Sequence, residues 1–310
     1  MSRLHLPAEI EKLLVGFNQK PAMHQTPIQE LRKTRPRIDA DDVVPVKSTK
    51  DIHINAGSHE IPARIYHPFD STEKPSLLVF YHGGGFVFGG LEGYYDHVCR
   101  VLCDLSNSIV VSVDYRLAPE HKFPAATDDA WNALGWCREH GAQLGADERY
   151  LFVAGGSAGA NLAAATALRV RDDNQFKLQG QVLFYPMTNY PEPPTESFNE
   201  FNAGYYLTGK DILWFWEQYL ESPADRLHPY AAPLQATDLK QVAPAFVLTA
   251  EADPLRDEAE AYAQRLEDAG IPVKVSRYKG MLHGFLAFPT PRSQEALLEA
   301  SDWIRGIKAC

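Results

Sequence analysis

Cysteine and methionine are scarce: four of each in 310 residues. The cysteines are Cys99, Cys103, Cys137 and Cys310. They form no Cys-x-x-Cys pair and no Cys/His spacing that suits a metal. So sparse a set fits a reducing compartment. Cys99 and Cys103 read as one turn apart on a helix face rather than as a disulfide. Long apolar runs are missing too. Nothing approaches the roughly eighteen residues of a membrane-spanning helix, and Glu9 and Glu11 break up any apolar segment near the start, which argues against a secretory signal. Basic charge is in the minority, with 30 Lys and Arg against 40 Asp and Glu, a net −10. The densest cationic stretch is Arg32, Lys33, Arg35 and Arg37. It reads as a solvated helix end, and nucleic acid is set aside because phosphate binding needs more clustered cations. No repeat and no sustained heptad appear, which excludes collagen-like and coiled-coil architectures. The expectation is a cytoplasmic globular protein with a sizeable core, since the 45% hydrophobic and 23% charged fractions are ordinary.

What is present is an alternation. Residues 51–56 and 61–68 read as two strands around a Gly57-Ser58 hairpin. Six apolar runs of strand length follow, at 76–82, 109–115, 150–156, 181–186, 245–250 and 273–279. Helical stretches at 96–105, 125–139, 158–171 and 257–269 separate most of them, and a last helix spans about 293–307. Strands apolar on both faces and alternating with helices predict a mostly parallel sheet covered on both sides.

Two segments stand outside this alternation. In the first forty-five residues Leu6, Ile10, Leu13, Leu14 and Phe17 recur at helical spacing, with Pro7 in the first turn and Pro21 as the stop. Thr26, Pro27 and Gln29 resemble the start of a second helix with a capping box. Residues 187–225 contain a helix start at Thr208 and Asp211, followed by Ile212, Leu213, Trp214, Phe215, Trp216, Tyr219 and Leu220, apolar nearly all round. Either this is an inserted cap over a greasy pocket or it is an ordinary buried helix. The division expected is a helical cap of residues 1–45 and 187–225 on a core of residues 46–186 and 226–310.

Gly155-Gly156-Ser157-Ala158-Gly159 follows one of the buried strands and opens an Ala-rich helix. A nucleophile elbow needs that context, because a sharp strand-to-helix turn crowds its flanks and small residues relieve the crowding. A dinucleotide fingerprint is the competing reading. It would use Ala154, Gly156 and Gly159, but Ala154 stands where Gly is wanted and the next strand ends in Pro186 and Met187 rather than an acid. His82-Gly83-Gly84-Gly85 follows an earlier strand and offers backbone N–H groups to an oxyanion, with the N–H of Ala158 as a further donor. Asp253 and His283 each lie just after a later strand, on the sheet edge where Ser157 falls. The order Ser157, Asp253, His283 is that of α/β-hydrolases. Asp114, Arg116 and Glu120, in DYRLAPE, read as structural braces beside the glycine run.

HGGG, DYRLAPE at 114–120, G-x-S-A-G, DPLRDE at 253–258 and HGF at 283–285 together resemble the hormone-sensitive lipase family of esterases, whose bacterial members are the family IV carboxylesterases. The resemblance covers about residue 60 to the end, and the N-terminal segment fits that family's cap. It implies an α/β-hydrolase fold with Ser157 as nucleophile, His283 as base and acid, and Asp253 as the orienting carboxylate. It also implies an oxyanion hole of Gly84, Gly85 and Ala158 with Gly83 close by, no cofactor and no metal. Two departures stand out. Gly156 replaces the family's usual Asp or Thr, and Ala160 its usual Gly. Gly156→Asp is expected to leave turnover of a small ester within about tenfold, ~1.4 kcal/mol in the barrier.

The aromatic supply of the suspected cap (Phe198, Phe201, Tyr205, Tyr206, Trp214, Phe215, Trp216) points to apolar acyl or alcohol groups. Phe86, Phe88, Tyr185 and Phe285 are further pocket candidates. The resemblance favours short to medium acyl chains. The expected partner is a small-molecule ester, and a homodimer pairing near Val273 is an analogy from the family. An amidase or aryl-formamidase would use the same residues. A small-molecule receptor on this fold is the non-enzymatic rival, although receptor relatives lack the histidine retained here at 283.

Overall fold

The computed structural model describes residues 5–33 and 43–309. The N-terminal segment forms α1 (Ala8–Asn18), a 3-10 turn at Met23–Gln25, and α2 (Ile28–Lys33). Pro7 stands at the N-cap of α1, and Ile10 and Leu14 are its buried stripe. Thr26 does not build the expected capping box. Its hydroxyl donates to the Ala22 carbonyl at 3.0 Å and closes the preceding turn. Of the cationic stretch, Arg35 and Arg37 lie outside the described residues.

The strands are β1 (Ser48–Asn55), β2 (Glu60–His67), β3 (Ser76–Tyr81), β4 (Ser108–Val113), β5 (Leu151–Gly156), β6 (Gly180–Phe184), β7 (Ala245–Ala252) and β8 (Val273–Leu282). They form one sheet in the order β1-β2-β4-β3-β5-β6-β7-β8. β1 and β2 pair antiparallel, as do β2 and β4, and every later pairing is parallel. Every residue of β3, β4, β5 and β6 is buried. That is why these strands are apolar throughout instead of alternating.

Helices cover both faces. α3 (Tyr94–Ser106) and α9 (Pro291–Ala309) pack with α1 against one face, through Val98, Leu102, Leu297 and Ile304 on Leu78, Phe80 and Phe246. α4 (Ala125–Leu144), α5 (Ala158–Asp173) and α8 (Arg256–Asp268) cover the other, against Leu77, Val79 and Val247. Between β6 and β7 the chain adds α6 (Glu196–Phe201) and α7 (Gly209–Tyr219). α7 begins with a full capping box between Thr208 and Asp211. It is less apolar than its sequence reads: Lys210 and Glu217 are exposed, and Leu213 and Trp214 are half-buried. Among the described residues no helix is long and apolar enough to cross a membrane.

Candidate active site

The parallel strands all point their C-terminal ends at one edge, where ligands of open α/β sheets bind. Register then decides which residues meet there. Tyr81 pairs with Gly155, so His82 and Gly156 emerge side by side. A β-bulge between Ala250 and Ala252 brings Ala252 opposite Leu282. Asp253 and His283, the next residue on each strand, are thereby neighbours.

Ser157 occupies the turn from β5 into α5 with φ 56° and ψ −117°, which a non-glycine residue rarely adopts. The turn is held by its flanks. A Cβ on Gly155 would lie 2.3 Å from the Gly159 carbonyl carbon, and one on Gly159 would lie 2.0 Å from the Tyr81 carbonyl oxygen. Neither position admits a side chain, which is the steric content of G-x-S-x-G. Ala160 is fully buried in α5.

Ser157 Oγ is 2.9 Å from His283 Nε2, and His283 Nδ1 is 2.7 Å from Asp253 Oδ2. The other Asp253 oxygen accepts the Leu255 N–H at 2.8 Å. Asp253 is fully buried, and the His283 side chain is 8% exposed. A carboxylate accepts from Nδ1–H, which leaves Nε2 as the acceptor facing the serine hydroxyl.

The glycine run faces the same space. His82 is buried, stacked on Tyr115 at 4.2 Å, and its Nδ1 donates to the Gly83 carbonyl at 2.8 Å. Gly84 and Gly85 have φ 117° and 59°, so side chains there would be strained. Among the described residues, neither spends its N–H on another protein group. The N–H of Ala158 lies in the first turn of α5, where intrahelical partners are missing. Gly83 differs from its two neighbours, because its backbone engages the Tyr95 hydroxyl.

Ser157, His283 and the three glycines open into a cavity of about 680 Å³. Of the pocket candidates, Phe88, Tyr185, Tyr206 and Phe215 line it. Phe86, Trp214 and Phe285 do not. Phe86, at φ 63°, stacks at 3.7 Å on Tyr219 inside the core. Phe285 is fully buried against Tyr278 and Tyr185. Trp214, the residue before Phe215, is absent from the lining and packs with its ring 5.2 Å from that of Phe215. Phe198, Phe201, Tyr205 and Trp216 are likewise absent from the lining. Residues not named as pocket candidates complete the wall: Phe17 and Met23 from the N-terminal segment, Tyr94 and Tyr95 opening α3, and Leu207 and Ile212 around α7.

Two hydroxyls and a carboxyl near the triad have displaced acidities. Tyr185 packs edge-on against the His283 ring at 4.9 Å and bonds the Tyr94 hydroxyl at 2.9 Å. Burial pushes both phenols well up, so both keep their protons at any working pH. The Glu258 carboxyl accepts the N–H groups of Thr188 and Asn189 at 2.7 and 3.1 Å. Burial pushes its pKa up to about 8 against the pull of those two donors, and the Asp253 charge adds to the rise.

The DYRLAPE residues act as braces. Arg116 grips the buried Asp129 with its guanidinium and its backbone N–H. Glu120 takes a bidentate pair from Arg32 at 2.8 and 2.7 Å, which holds its carboxyl down at about 2. Arg32 also donates to the carbonyls of Val87 and Ala118. It thus pins α2 onto the loop after the glycine run instead of ending in solvent.

Residues 78–287 match the family defined by the alpha/beta hydrolase fold, and the chain belongs to that family. Its motif set is that of the hormone-sensitive lipase-like, or family IV, branch. The chain is 39% identical over 255 residues to an arylesterase of Saccharolobus solfataricus, covering 82% of each. It is 40% identical over 247 residues to the carboxylesterase NlhH of Mycobacterium tuberculosis, covering 77% of this chain and 76% of that one. Among solved structures, a hyperthermophilic esterase from Pyrobaculum calidifontis superposes with a TM-score of 0.90 at 38% identity, over 99% of this chain and all of the other.

Proposed function

We propose that this protein is a serine carboxylesterase in which Ser157 is the nucleophile, His283 the base and acid, and Asp253 the orienting carboxylate. The carrying observation is the hydrogen-bonded chain Ser157–His283–Asp253, at 2.9 and 2.7 Å, on the floor of an apolar cavity. His283 Nε2 takes the serine proton as Oγ attacks the ester carbonyl. The oxyanion that forms accepts from the N–H groups of Gly84, Gly85 and Ala158, each worth about 10²–10³ in rate by analogy with single-donor removals elsewhere. The alcohol leaves with the proton held on His283. Water, deprotonated by the same ring, then frees the acid from the acyl-enzyme.

A cavity of about 680 Å³ walled by Phe17, Phe88, Tyr206, Ile212 and Phe215 favours short to medium acyl chains with an apolar alcohol. Residues 1–45 and 187–225 are assigned as the cap, a reading supported by the wall residues that Phe17, Tyr206, Ile212 and Phe215 contribute. The cytoplasm suits the buried thiols of Cys99, Cys103 and Cys137. A homodimer would pair along the free edge of β8, where Val275 is exposed.

The test is hydrolysis of p-nitrophenyl esters from acetyl to palmitoyl by wild type and by folded Ser157→Ala, with the p-nitroanilides alongside. Turnover that peaks at short or medium chains and vanishes in the variant is the expected result. Faster anilide than ester cleavage would make it an amidase, and no turnover by folded wild type would overturn the reading.

A further inference from the structure

Tyr95 is wedged between the two motifs on which the proposed chemistry depends. Its hydroxyl oxygen lies 2.1 Å from the place a Cβ on Gly83 would take, and its ring carbon Cζ lies 3.2 Å from that place. The Gly156 carbonyl oxygen is 2.6 Å from the same point. On the elbow side, Tyr95 Cε1 and Oη both lie 3.2 Å from where a Cβ on Gly156 would be. One side chain therefore fills the gap between the start of the glycine run and the residue before the nucleophile. It needs a glycine at position 83, and it leaves a Cβ at position 156 only a tight fit. Its ring is held at 5.8 Å from Phe80 and 4.6 Å from Tyr94, and it forms part of the cavity wall.

We infer that Tyr95 is a positioning residue: its hydroxyl sets the spacing between the glycine run and the elbow, and Gly156 lacks a side chain to make room for it. The inference rests on the esterase reading and deepens it. The donors Gly84 and Gly85 follow Gly83 directly, while Ser157 follows Gly156. A shift of either neighbour against Tyr95 moves the donors relative to Oγ, and a misplacement of about 1 Å in catalytic geometry can cost about 10²-fold in rate. The same contact gives a physical account of the Gly156 departure. A side chain there must push Tyr95 by a few tenths of an ångström, so its effect reaches the oxyanion donors without touching the triad.

The test is a double-mutant cycle of Tyr95→Phe and Gly156→Ala, read by kcat and KM on p-nitrophenyl butyrate, by inactivation with diethyl p-nitrophenyl phosphate, and by thermal melting. Tyr95→Phe should lower kcat and the inactivation rate by about tenfold, with KM within twofold. Gly156→Ala should lower kcat about fivefold. The double variant should lose about tenfold, not the fiftyfold of independent effects. An unchanged kcat in Tyr95→Phe overturns the inference. So does a loss carried by KM, or a double variant that shows the full product. If Tyr95→Phe does not fold, Gly156→Ala alone must show the kcat-specific loss, and its absence overturns the claim. Inactive wild type would instead overturn the esterase reading, and the inference with it, and is recognised before any variant is made.

Discussion

His24 and Asp211, 187 positions apart, are joined twice. The His24 backbone N–H donates to Asp211 Oδ1 at 2.8 Å, and its ring Nδ1 lies 2.7 Å from the same oxygen. The other Asp211 oxygen accepts the Thr208 N–H and hydroxyl, at 3.1 and 2.7 Å. One fully buried carboxylate thus caps α7 and ties it to the N-terminal 3-10 turn. The two stretches outside the strand–helix alternation meet at this carboxylate, over the cavity.

His24→Ala should therefore loosen the cavity roof and leave the triad alone. It removes one hydrogen bond to a buried charge, worth about 1.5–3 kcal/mol, and keeps the backbone bond. The expected loss is about 1.5 kcal/mol in urea unfolding, with a larger fall in kcat/KM for hexanoyl than for acetyl esters. Equal falls on both esters would show that the roof does not shape the acyl site.

Asp253→Asn tests the orienting carboxylate. An amide in that place can present N–H to Nδ1, which favours the tautomer with the proton on Nε2, where it cannot accept from Ser157. The expected outcome is a fall in kcat of about 10³–10⁴ with KM little changed. A loss below about tenfold would remove Asp253 from the mechanism.

How much of this could be read from the chain follows from burial and range. The core strands were legible because Ser76–Tyr81, Leu151–Gly156 and their neighbours are buried on both faces, and such runs stand out. Ser157 was legible because Gly155 and Gly159 are forced by contacts of 2.0–2.3 Å, which a short motif records. The cavity wall was not. Whether Trp214 or Phe215 faces it depends on the phase of α7, and two adjacent aromatics give no phase. Phe86 and Phe88 look alike in sequence, yet φ 63° at Phe86 turns that ring into a stack on Tyr219. Thr26 had a capping pattern, but a nearer carbonyl, that of Ala22, took its hydroxyl. The His24–Asp211 link has no local signature at all.

Phe215 should govern acyl length. Its ring lies over Gly85, with ring carbons 2.2–2.5 Å from where a Cβ would stand, and it lines the cavity. Phe215→Leu shortens the wall beside the oxyanion donors while keeping an apolar side chain. The p-nitrophenyl ester optimum should move to longer chains, with octanoyl gaining at least threefold on acetyl in kcat/KM. An unchanged profile would place the acyl chain elsewhere in the cavity.

Glu258 predicts a pH-dependent stability. Its carboxyl is protonated in the folded protein up to about pH 8, because burial raises its pKa from the ordinary 4.5. In the unfolded chain it ionises near the ordinary value. Between those two values the folded state holds one more proton than the unfolded state, so stability falls with rising pH. The contribution is fully present below about 4.5, is lost progressively up to about 8, and is constant above that. Glu258→Gln keeps an oxygen for the Thr188 and Asn189 N–H groups and has nothing to ionise. The variant should therefore melt close to wild type at pH 5 and increasingly above it towards pH 8 and 9. A difference in melting temperature that stays flat across pH 5–9 would mean that Glu258 ionises normally in the fold.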